Sequence, residues 1–228
     1  MIDANKTIDL VKLKFYNEYL YTNHITEEGD SPLHKTITEQ VVRTYIDPLK
    51  LPFDSKILDM GCGPGYFLDL MKERGYTDLT GVTLSPEDIK TCEEKGHTIK
   101  QYDLSFLPQA EGYYDESVDF IFLRHALEHS PYPIFTLMEY NRVLKQNGLI
   151  YIEVPAPDCD RKYEYYPNHY SIMGHNQLAA LLVRTGFDIK DFKKLDFTVQ
   201  HKDNGETEQA KENYYMIVAE KKRPLDVK

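Results

Sequence analysis

The chain has 228 residues, with 37 acidic and 27 basic residues and a formal net charge of -10. This length suits one α/β domain with a sizeable core, and the acidity opposes binding to phosphate backbones and anionic membrane surfaces. No apolar signal segment and no apolar run of the roughly 18 residues that would span a bilayer is present. We therefore expect no long nucleic acid and no membrane as partner. The oligomeric state stays open.

The three cysteines, Cys62, Cys92 and Cys159, are far apart and form no C-x-x-C pair. This spacing argues against a disulfide framework and against a zinc–thiolate cluster. We expect a reducing, cytoplasmic setting.

Helical periodicity precedes the core of the chain. It predicts an amphipathic helix over residues 7–21 and a second one over 32–47, ahead of Pro48. We assign residues 1–50 to a helical segment and 51–228 to the main domain.

From Lys56 onward, short apolar runs alternate with helical stretches, which is typical of a mostly parallel sheet with helices on both faces. The predicted strands are 56–60, 79–84, 98–102, 118–123, 148–154, 188–199 and 213–220. The predicted helices are 65–74, 86–95, 133–145 and 175–185. Ser85 is the predicted N-cap of helix 86–95, with Asp88 as the capping-box acid. The polar stretch 201–212 has the composition of a loose hairpin loop.

The first of these strands ends in Asp59 and is followed by Gly61, Gly63 and Gly65 at alternate positions. Glycine lacks a Cβ and tolerates positive φ. The pattern therefore predicts a tight strand-to-helix turn that approaches a ligand and whose amides face it. A tight turn with no ligand is the alternative.

Polar residues also end the later strands, where an open parallel sheet binds its ligands. Together with the glycine turn, they make residues 56–155 resemble a class I S-adenosylmethionine-dependent methyltransferase of the type-11 kind. The motifs that carry the resemblance are Leu58–Gly65, Gly81–Ser85, Tyr102–Leu104, Asp119–Ile121 and Arg142–Ile150. It implies a three-layer α/β/α sandwich with a Rossmann-like, mostly parallel seven-stranded sheet whose last strand is antiparallel. It further implies S-adenosylmethionine as cofactor, methyl transfer as activity, and a lid or substrate-binding role for residues 1–50.

The same resemblance implies the cofactor contacts. The backbone of the glycine turn would approach the methionine part, with Asp59 near its ammonium group. Asp103 would accept from the adenine amino group, and the Leu104 amide would meet a ring nitrogen. The complete set is Asp59, Gly61, Cys62, Gly63, Gly65, Thr83, Leu84, Asp103, Leu104 and Arg124.

Thr83 departs from the family, because most members carry an acid there to hold both ribose hydroxyls. A threonine hydroxyl cannot offer the bidentate geometry of a carboxylate. We expect weaker ribose contact or contact from another residue.

His125 and His129 follow the fourth strand in a loop that faces the methyl group in this family, and we predict them as candidate bases. The alternative is that they only order the loop. The H-x-x-E-H spacing also matches a metallopeptidase signature, which we reject because Ser130–Pro133 leaves room for barely more than one helical turn. We predict no metal. A divalent ion on Glu128 and His129 with His169 or His175, similar to sites in some RNA-terminal and quinone-pathway methyltransferases, stays open.

The acidity of the chain favours a small-molecule or sugar-like acceptor with an oxygen or nitrogen nucleophile. We expect its recognition by helix 7–21 and by the tyrosine-rich segment 159–170. The alternatives are a metal-assisted RNA-end methyltransferase and an inactive cofactor-binding module, for which Thr83 is the hint. The glycine spacing disfavours an NAD-dependent oxidoreductase.

Overall fold

A computed structural model of the chain describes residues 31–109, 112–157, 159–203 and 206–224. The helix predicted over 7–21 lies outside these ranges. Within them, no helix combines the length and apolar composition that crossing a bilayer requires. All three cysteines are buried free thiols.

Seven strands form one sheet in the order β3-β2-β1-β4-β5-β7-β6. The first five strands pair in parallel, whereas β7 runs antiparallel to both of its neighbours, β5 and β6. The predicted sheet and its antiparallel last strand are therefore confirmed. The strands are β1 (Ile57–Met60), β2 (Leu79–Val82), β3 (Thr98–Lys100), β4 (Val118–Arg124), β5 (Leu144–Pro155), β6 (Phe187–Asp203) and β7 (Glu206–Lys221).

The helices lie close to their predicted bounds. The first continues through a π-helical turn, Val42–Ile46, and a 3-10 turn, Asp47–Leu49. At the start of the helix Pro86–Glu94, the Ser85 side chain accepts a hydrogen bond from the Asp88 amide, which confirms the predicted N-cap. The helices are α1 (Pro32–Val41), α2 (Tyr66–Glu73), α3 (Pro86–Glu94), α4 (Pro133–Val143) and α5 (His175–Arg184).

Two hydrophobic clusters cover the two faces of the sheet, as a three-layer sandwich requires. Alternation along β1 divides its side chains, with Leu58 in one cluster and Ile57 in the other. Leu178 of α5 belongs to the first cluster, and Val42 after α1 belongs to the second. The described part of residues 1–50 thus packs on the same core as the sheet.

Two predicted boundaries are wrong. The fourth helix ends at Val143 and β5 begins at Leu144, because Leu144 pairs with Val118 before the regular β4–β5 register resumes. The stretch 201–212, predicted as a loop, lies mostly in the β6–β7 hairpin, with strand pairing up to Asp203 and again from Glu206. Antiparallel backbone pairing there overrides the loop-like composition.

Candidate cofactor and acceptor site

The turn between β1 and α2 has the backbone that its glycines predict. Gly61, Gly63 and Gly65 have φ of 77°, 49° and 83°. A Cβ added to Gly61 would lie 2.7 Å from the Cβ of Ala126, which belongs to the loop after β4. Gly61 therefore serves two purposes, since it allows the turn and lets the β4 loop approach it.

Three amides of this turn donate to backbone carbonyls of the chain and do not face a ligand as predicted. The Gly61 and Cys62 N–H groups both donate to the Val82 carbonyl, over 2.8 and 3.1 Å, and the Gly65 N–H donates to the Cys62 carbonyl over 3.0 Å. These amides fasten the turn to β2 and to itself. The turn still lets its backbone, including Gly63, approach a ligand in the groove.

A groove opens at the carboxyl ends of β1, β2 and β4. The predicted site residues that line it are Asp59, Gly61, Cys62, Gly63, Thr83, Leu104, Arg124, His125 and His129.

Three of the predicted cofactor residues lie outside this lining: Gly65, Leu84 and Asp103. Gly65 caps α2, and the Leu84 carbonyl accepts from the Gln101 side chain over 3.2 Å. Asp103 Oδ1 accepts from the Ser105 amide over 2.8 Å, and burial raises the pKa of Asp103. Asp103 thus uses one of its oxygens to close its own turn.

Asp88 lines the groove, although sequence reasoning treated it only as a capping residue. It lies in the first turn of α3 and is 5% exposed, and Asp59 is 3% exposed. A hydrogen bond to Cys92, burial, and the negative charges of Asp59 and Asp88 raise the pKa of the Cys62 thiol. Two buried acids therefore flank the glycine turn. The sequence carried one signal for this role of Asp88, since it is an acid in the first turn of the helix after β2. In the structure that turn lies at the groove.

Arg124, at the end of β4, is held by other elements. Its Nε donates to Glu153 Oε1 of β5 over 2.9 Å, and its Nη1 donates to Thr38 Oγ1 of α1 over 3.4 Å. Tyr151 donates to the second Glu153 oxygen over 2.7 Å. Burial opposes ionisation of Glu153, but Arg124 and His125 outweigh it and lower its pKa to about 2.

His125 is fixed from several sides. Its backbone has φ of 51°, its N–H donates to the Glu153 carbonyl over 2.8 Å, and its ring lies edge-on to Tyr214. Nε2 is 3.1 Å from Glu153 Oε1, and Nδ1 is 3.6 Å from Glu128 Oε1. Burial and Arg124 disfavour its positive charge, but the two carboxylates outweigh them and raise its pKa to about 9. A raised pKa favours the protonated ring, which does not suit the base role predicted for it.

Residues 35–191 match the sequence profile of a family described as "Methyltransferase domain". This chain is a member of the S-adenosylmethionine-dependent methyltransferase family. One curated relative of this methyltransferase, a tRNA U34 carboxymethyltransferase of Aliarcobacter butzleri, is 30% identical over 71% of this chain and 55% of its own length. Another, a ubiquinone biosynthesis O-methyltransferase of Photobacterium profundum, is 27% identical over 72% of this chain and 68% of its own. The methyltransferase thus spans little more than half the length of the first relative.

Solved structures support the fold. A SAM-dependent methyltransferase from Archaeoglobus fulgidus has a TM-score of 0.64 and 21% identity, covering 91% of this methyltransferase and 99% of that chain. The YcgJ protein from Bacillus subtilis has a TM-score of 0.68 and 18% identity, covering 81% and 99%. At such identities the match establishes the architecture alone.

The groove of this methyltransferase suits a cofactor that carries a sulfonium and an ammonium group. Two buried carboxylates, Asp59 and Asp88, supply negative charge, and the glycine turn leaves room for the ligand beside the backbone. Arg124 is the one lysine or arginine among the described lining residues, and Glu153 neutralises it.

His129 also lines the groove and lies next to His169, with 4.9 Å between the ring centroids. Its Nδ1 is 2.9 Å from the Asn168 carbonyl oxygen. A carbonyl only accepts, so Nδ1 carries a proton, and in the neutral ring the lone pair is on Nε2. His175 lies elsewhere, because its ring packs against that of Phe192, with 4.1 Å between the ring centroids.

Proposed function

We propose that this chain transfers the methyl group of S-adenosylmethionine to an oxygen or nitrogen nucleophile of a small-molecule or sugar-like acceptor. One observation carries the proposal: a single groove is lined by two buried acids, by a glycine turn and by a histidine whose Nδ1 donates to a backbone carbonyl. The acids and the turn suit a cationic cofactor, and the histidine suits a nucleophile that loses a proton.

In this proposal the cofactor lies along the ends of β1 and β2. Asp59 holds its ammonium group, and the Leu104 amide and the second oxygen of Asp103 meet the adenine. Asp88 supplies, across the groove from the glycine turn, the carboxylate that Thr83 lacks for the ribose. Thr83 Oγ1 already accepts from the Ser85 amide over 3.2 Å, which ties that hydroxyl to its own turn.

Methyl transfer needs mainly alignment. The nucleophile forms its bond to the methyl carbon while the carbon–sulfur bond breaks, leaving a neutral thioether, and the acceptor proton must leave. His129 is the acceptor-side residue for this step, and general base assistance of this kind contributes about 100- to 10,000-fold. His125, as a fixed cation, positions Glu128 and Glu153 and takes no proton.

The charges at the acceptor end favour a small acceptor over RNA. Arg124 is paired with Glu153, and Arg161 is paired with Glu212 over 2.9 Å, so neither presents an uncompensated charge to a phosphate. His34 and Thr38 of α1 line the same groove, which supports a covering role for residues 1–50. The name of the ubiquinone relative also denotes a small acceptor, whereas the tRNA relative makes RNA the contrasting outcome.

Calorimetry with S-adenosylmethionine and NAD side by side tests the cofactor assignment. We expect one site for S-adenosylmethionine and none for NAD. Binding of NAD alone, or of neither, would overturn the proposal.

Transfer of a labelled methyl group to a panel of phenols, sugars and amines, and to short RNA, tests the acceptor. We expect label on a small molecule, and a loss of about 100-fold or more in kcat for His129→Gln with cofactor affinity unchanged. Label on RNA alone would replace the small-molecule acceptor with the RNA alternative.

A further inference from the structure

We propose that Thr136 is a positioning residue for methyl transfer, because its hydroxyl joins the loop of Asp103 to the loop of His129. Its partners are the hydroxyls of Ser105 and Ser130. We call these three side chains the hydroxyl cluster. Its part in methyl transfer rests on the proposed function, whereas the junction that it makes between the two loops does not.

The hydroxyl cluster is a closed ring of hydrogen bonds. Thr136 Oγ1 is 2.8 Å from Ser105 Oγ and 2.7 Å from Ser130 Oγ, and the two serine oxygens are 3.3 Å apart. In such a ring each hydroxyl can donate to one neighbour and accept from the other. The three residues are at most 4% exposed, and none is among the described lining residues of the groove. The cluster is therefore part of the interior, and its effect on a ligand is indirect.

One side of the hydroxyl cluster supports the loop after β3. The Ser105 amide donates to Asp103 Oδ1 over 2.8 Å, and the Phe106 amide donates to the Asp103 carbonyl over 3.0 Å. Through the Ser105 hydroxyl, this turn is anchored to Thr136 in the first turn of α4. In the proposed function the other oxygen of the Asp103 carboxylate meets the adenine, so the cluster holds the residue that holds the cofactor.

The other side supports the loop after β4. Ser130 directly follows the 3-10 helix Leu127–His129, and its amide donates to the Leu127 carbonyl over 3.0 Å. Its Oγ also accepts from the amide of Tyr132, the residue before α4, over 3.1 Å. The Ser130 hydroxyl thus ties the end of the 3-10 helix to the start of α4. In the proposed function His129, at that end, assists the loss of the acceptor proton.

Thr136 connects the two loops because it bonds to both serines. Alignment of the nucleophile with the methyl carbon is the main requirement of methyl transfer, and small displacements reduce the rate strongly. The cluster therefore fixes the position of the adenine contact relative to the base. Without the Thr136 hydroxyl, the two serines keep at most one bond between them, and one of their buried donors loses its acceptor.

The test compares Thr136→Val with Thr136→Ser in the full chain. Valine keeps the shape of threonine and removes the hydroxyl, whereas serine keeps the hydroxyl and removes the methyl group. Thr185→Val is the matched control, since Thr185 is 1% exposed and its hydroxyl donates to the Leu181 carbonyl of its own helix, α5, over 2.9 Å. Amide hydrogen exchange without ligand reports the two loops separately, and calorimetry with S-adenosylmethionine reports cofactor binding.

We expect Thr136→Val to exchange the amides of residues 105–106 and 129–130 at least about 3-fold faster, and to bind S-adenosylmethionine about 3- to 10-fold more weakly. With the acceptor that takes label in the panel, kcat at saturating cofactor should fall about 10-fold or more. Thr136→Ser should stay close to the unaltered protein in every measurement. Thr185→Val should change neither the two loops nor cofactor affinity.

Several outcomes would overturn the inference. Faster exchange in only one of the two loops would show that Thr136 does not join them. Equal losses in Thr136→Val and Thr136→Ser would assign the effect to the methyl group, and an equal loss in Thr185→Val would assign it to general destabilisation. Unchanged kcat with both loops loosened would remove the cluster from the reaction. If the unaltered protein binds no S-adenosylmethionine, the proposed function fails, and the exchange rates alone decide whether the junction exists.

Discussion

The two ends of the groove are built differently. The end proposed for the cofactor is built around the turn between β1 and α2, so its glycines and Asp59 are neighbours in the chain. Thr83, after β2, and Asp88, in α3, join them. The end proposed for the acceptor is assembled from separate segments, since Arg124 ends β4, His125 follows it, Glu153 comes from β5 and Thr38 from α1. A local backbone requirement therefore shapes the first end, and a network of buried charges shapes the second.

Gly61 joins the two ends, and its replacement should have the largest effect. Alanine at φ of 77° is strained by about 1–2 kcal/mol, and its Cβ would meet Ala126 at 2.7 Å. We expect Gly61→Ala to displace the β4 loop and to weaken S-adenosylmethionine binding about 100-fold or more, with further destabilisation from overpacking. Calorimetry and urea denaturation measure the two effects.

Gly75→Ala is the matched control. Its φ is 92°, but an added Cβ there has nothing within 4 Å. This variant should show only the backbone strain, about 1–2 kcal/mol, with cofactor affinity unchanged. If Gly61→Ala and Gly75→Ala lose equal cofactor affinity, backbone strain at positive φ, and not the contact with Ala126, explains the loss at Gly61.

The comparison also explains what the sequence could predict. The alternation of strands and helices, the glycine turn and the capped α3 depend on neighbours in the chain, and these predictions are confirmed. The raised pKa of His125 could be predicted only in part. It depends on Glu128, three residues away, but also on Glu153, which is 28 residues away and becomes a neighbour only through β4–β5 pairing. The second use of Asp88 was missed because a capping position explains an acid without reference to the groove.

The charge network of the acceptor end predicts a pH-dependent stability. Glu153 has a pKa of about 2 in the folded chain, lowered by Arg124 and His125 against the effect of burial. A lowered pKa contributes stability above the unfolded value, near pH 4.5, and this contribution is lost as pH falls toward 2. We expect Glu153→Gln to lower the free energy of unfolding by about 3 kcal/mol at pH 7, since it leaves buried cations without a partner. Urea denaturation should show a smaller difference at pH 3.

Asp47→Asn provides the control for this experiment. Asp47 also accepts from an arginine, with 2.7 Å between Arg74 Nε and Asp47 Oδ1, but its side chain is 42% exposed. Exposed pairs of this kind contribute about 0–1 kcal/mol. A loss at Asp47 as large as that at Glu153 would contradict the view that burial makes the acceptor network important.

At the cofactor end, Asp88→Asn tests the acid that sequence reasoning missed. Removing its charge should weaken S-adenosylmethionine binding about 10-fold, because a charge-assisted hydrogen bond contributes about 1.5–3 kcal/mol. Glu87→Gln is the control, since Glu87 is the exposed neighbour in the same helical turn. If both changes have the same small effect, Asp88 acts only through its place at the helix start.

Thr83→Asp should have the smallest effect. Asp88 already places a carboxylate in the groove. A second acid at position 83 would therefore offer the ribose a contact that Asp88 partly provides. We expect S-adenosylmethionine binding to be unchanged or up to about 3-fold tighter, since the new carboxylate can share the ribose hydroxyls but must also lose its contact with solvent.

The double variant Thr83→Asp with Asp88→Asn tests whether the two positions share one role. We expect Thr83→Asp to restore most of the affinity that Asp88→Asn loses. Titration of the single and double variants measures this coupling. Complete loss of binding in Thr83→Asp would mean that Thr83 does not face the ribose. If Thr83→Asp restores no affinity to Asp88→Asn, so that the two effects on affinity simply add, the two positions serve different parts of the cofactor.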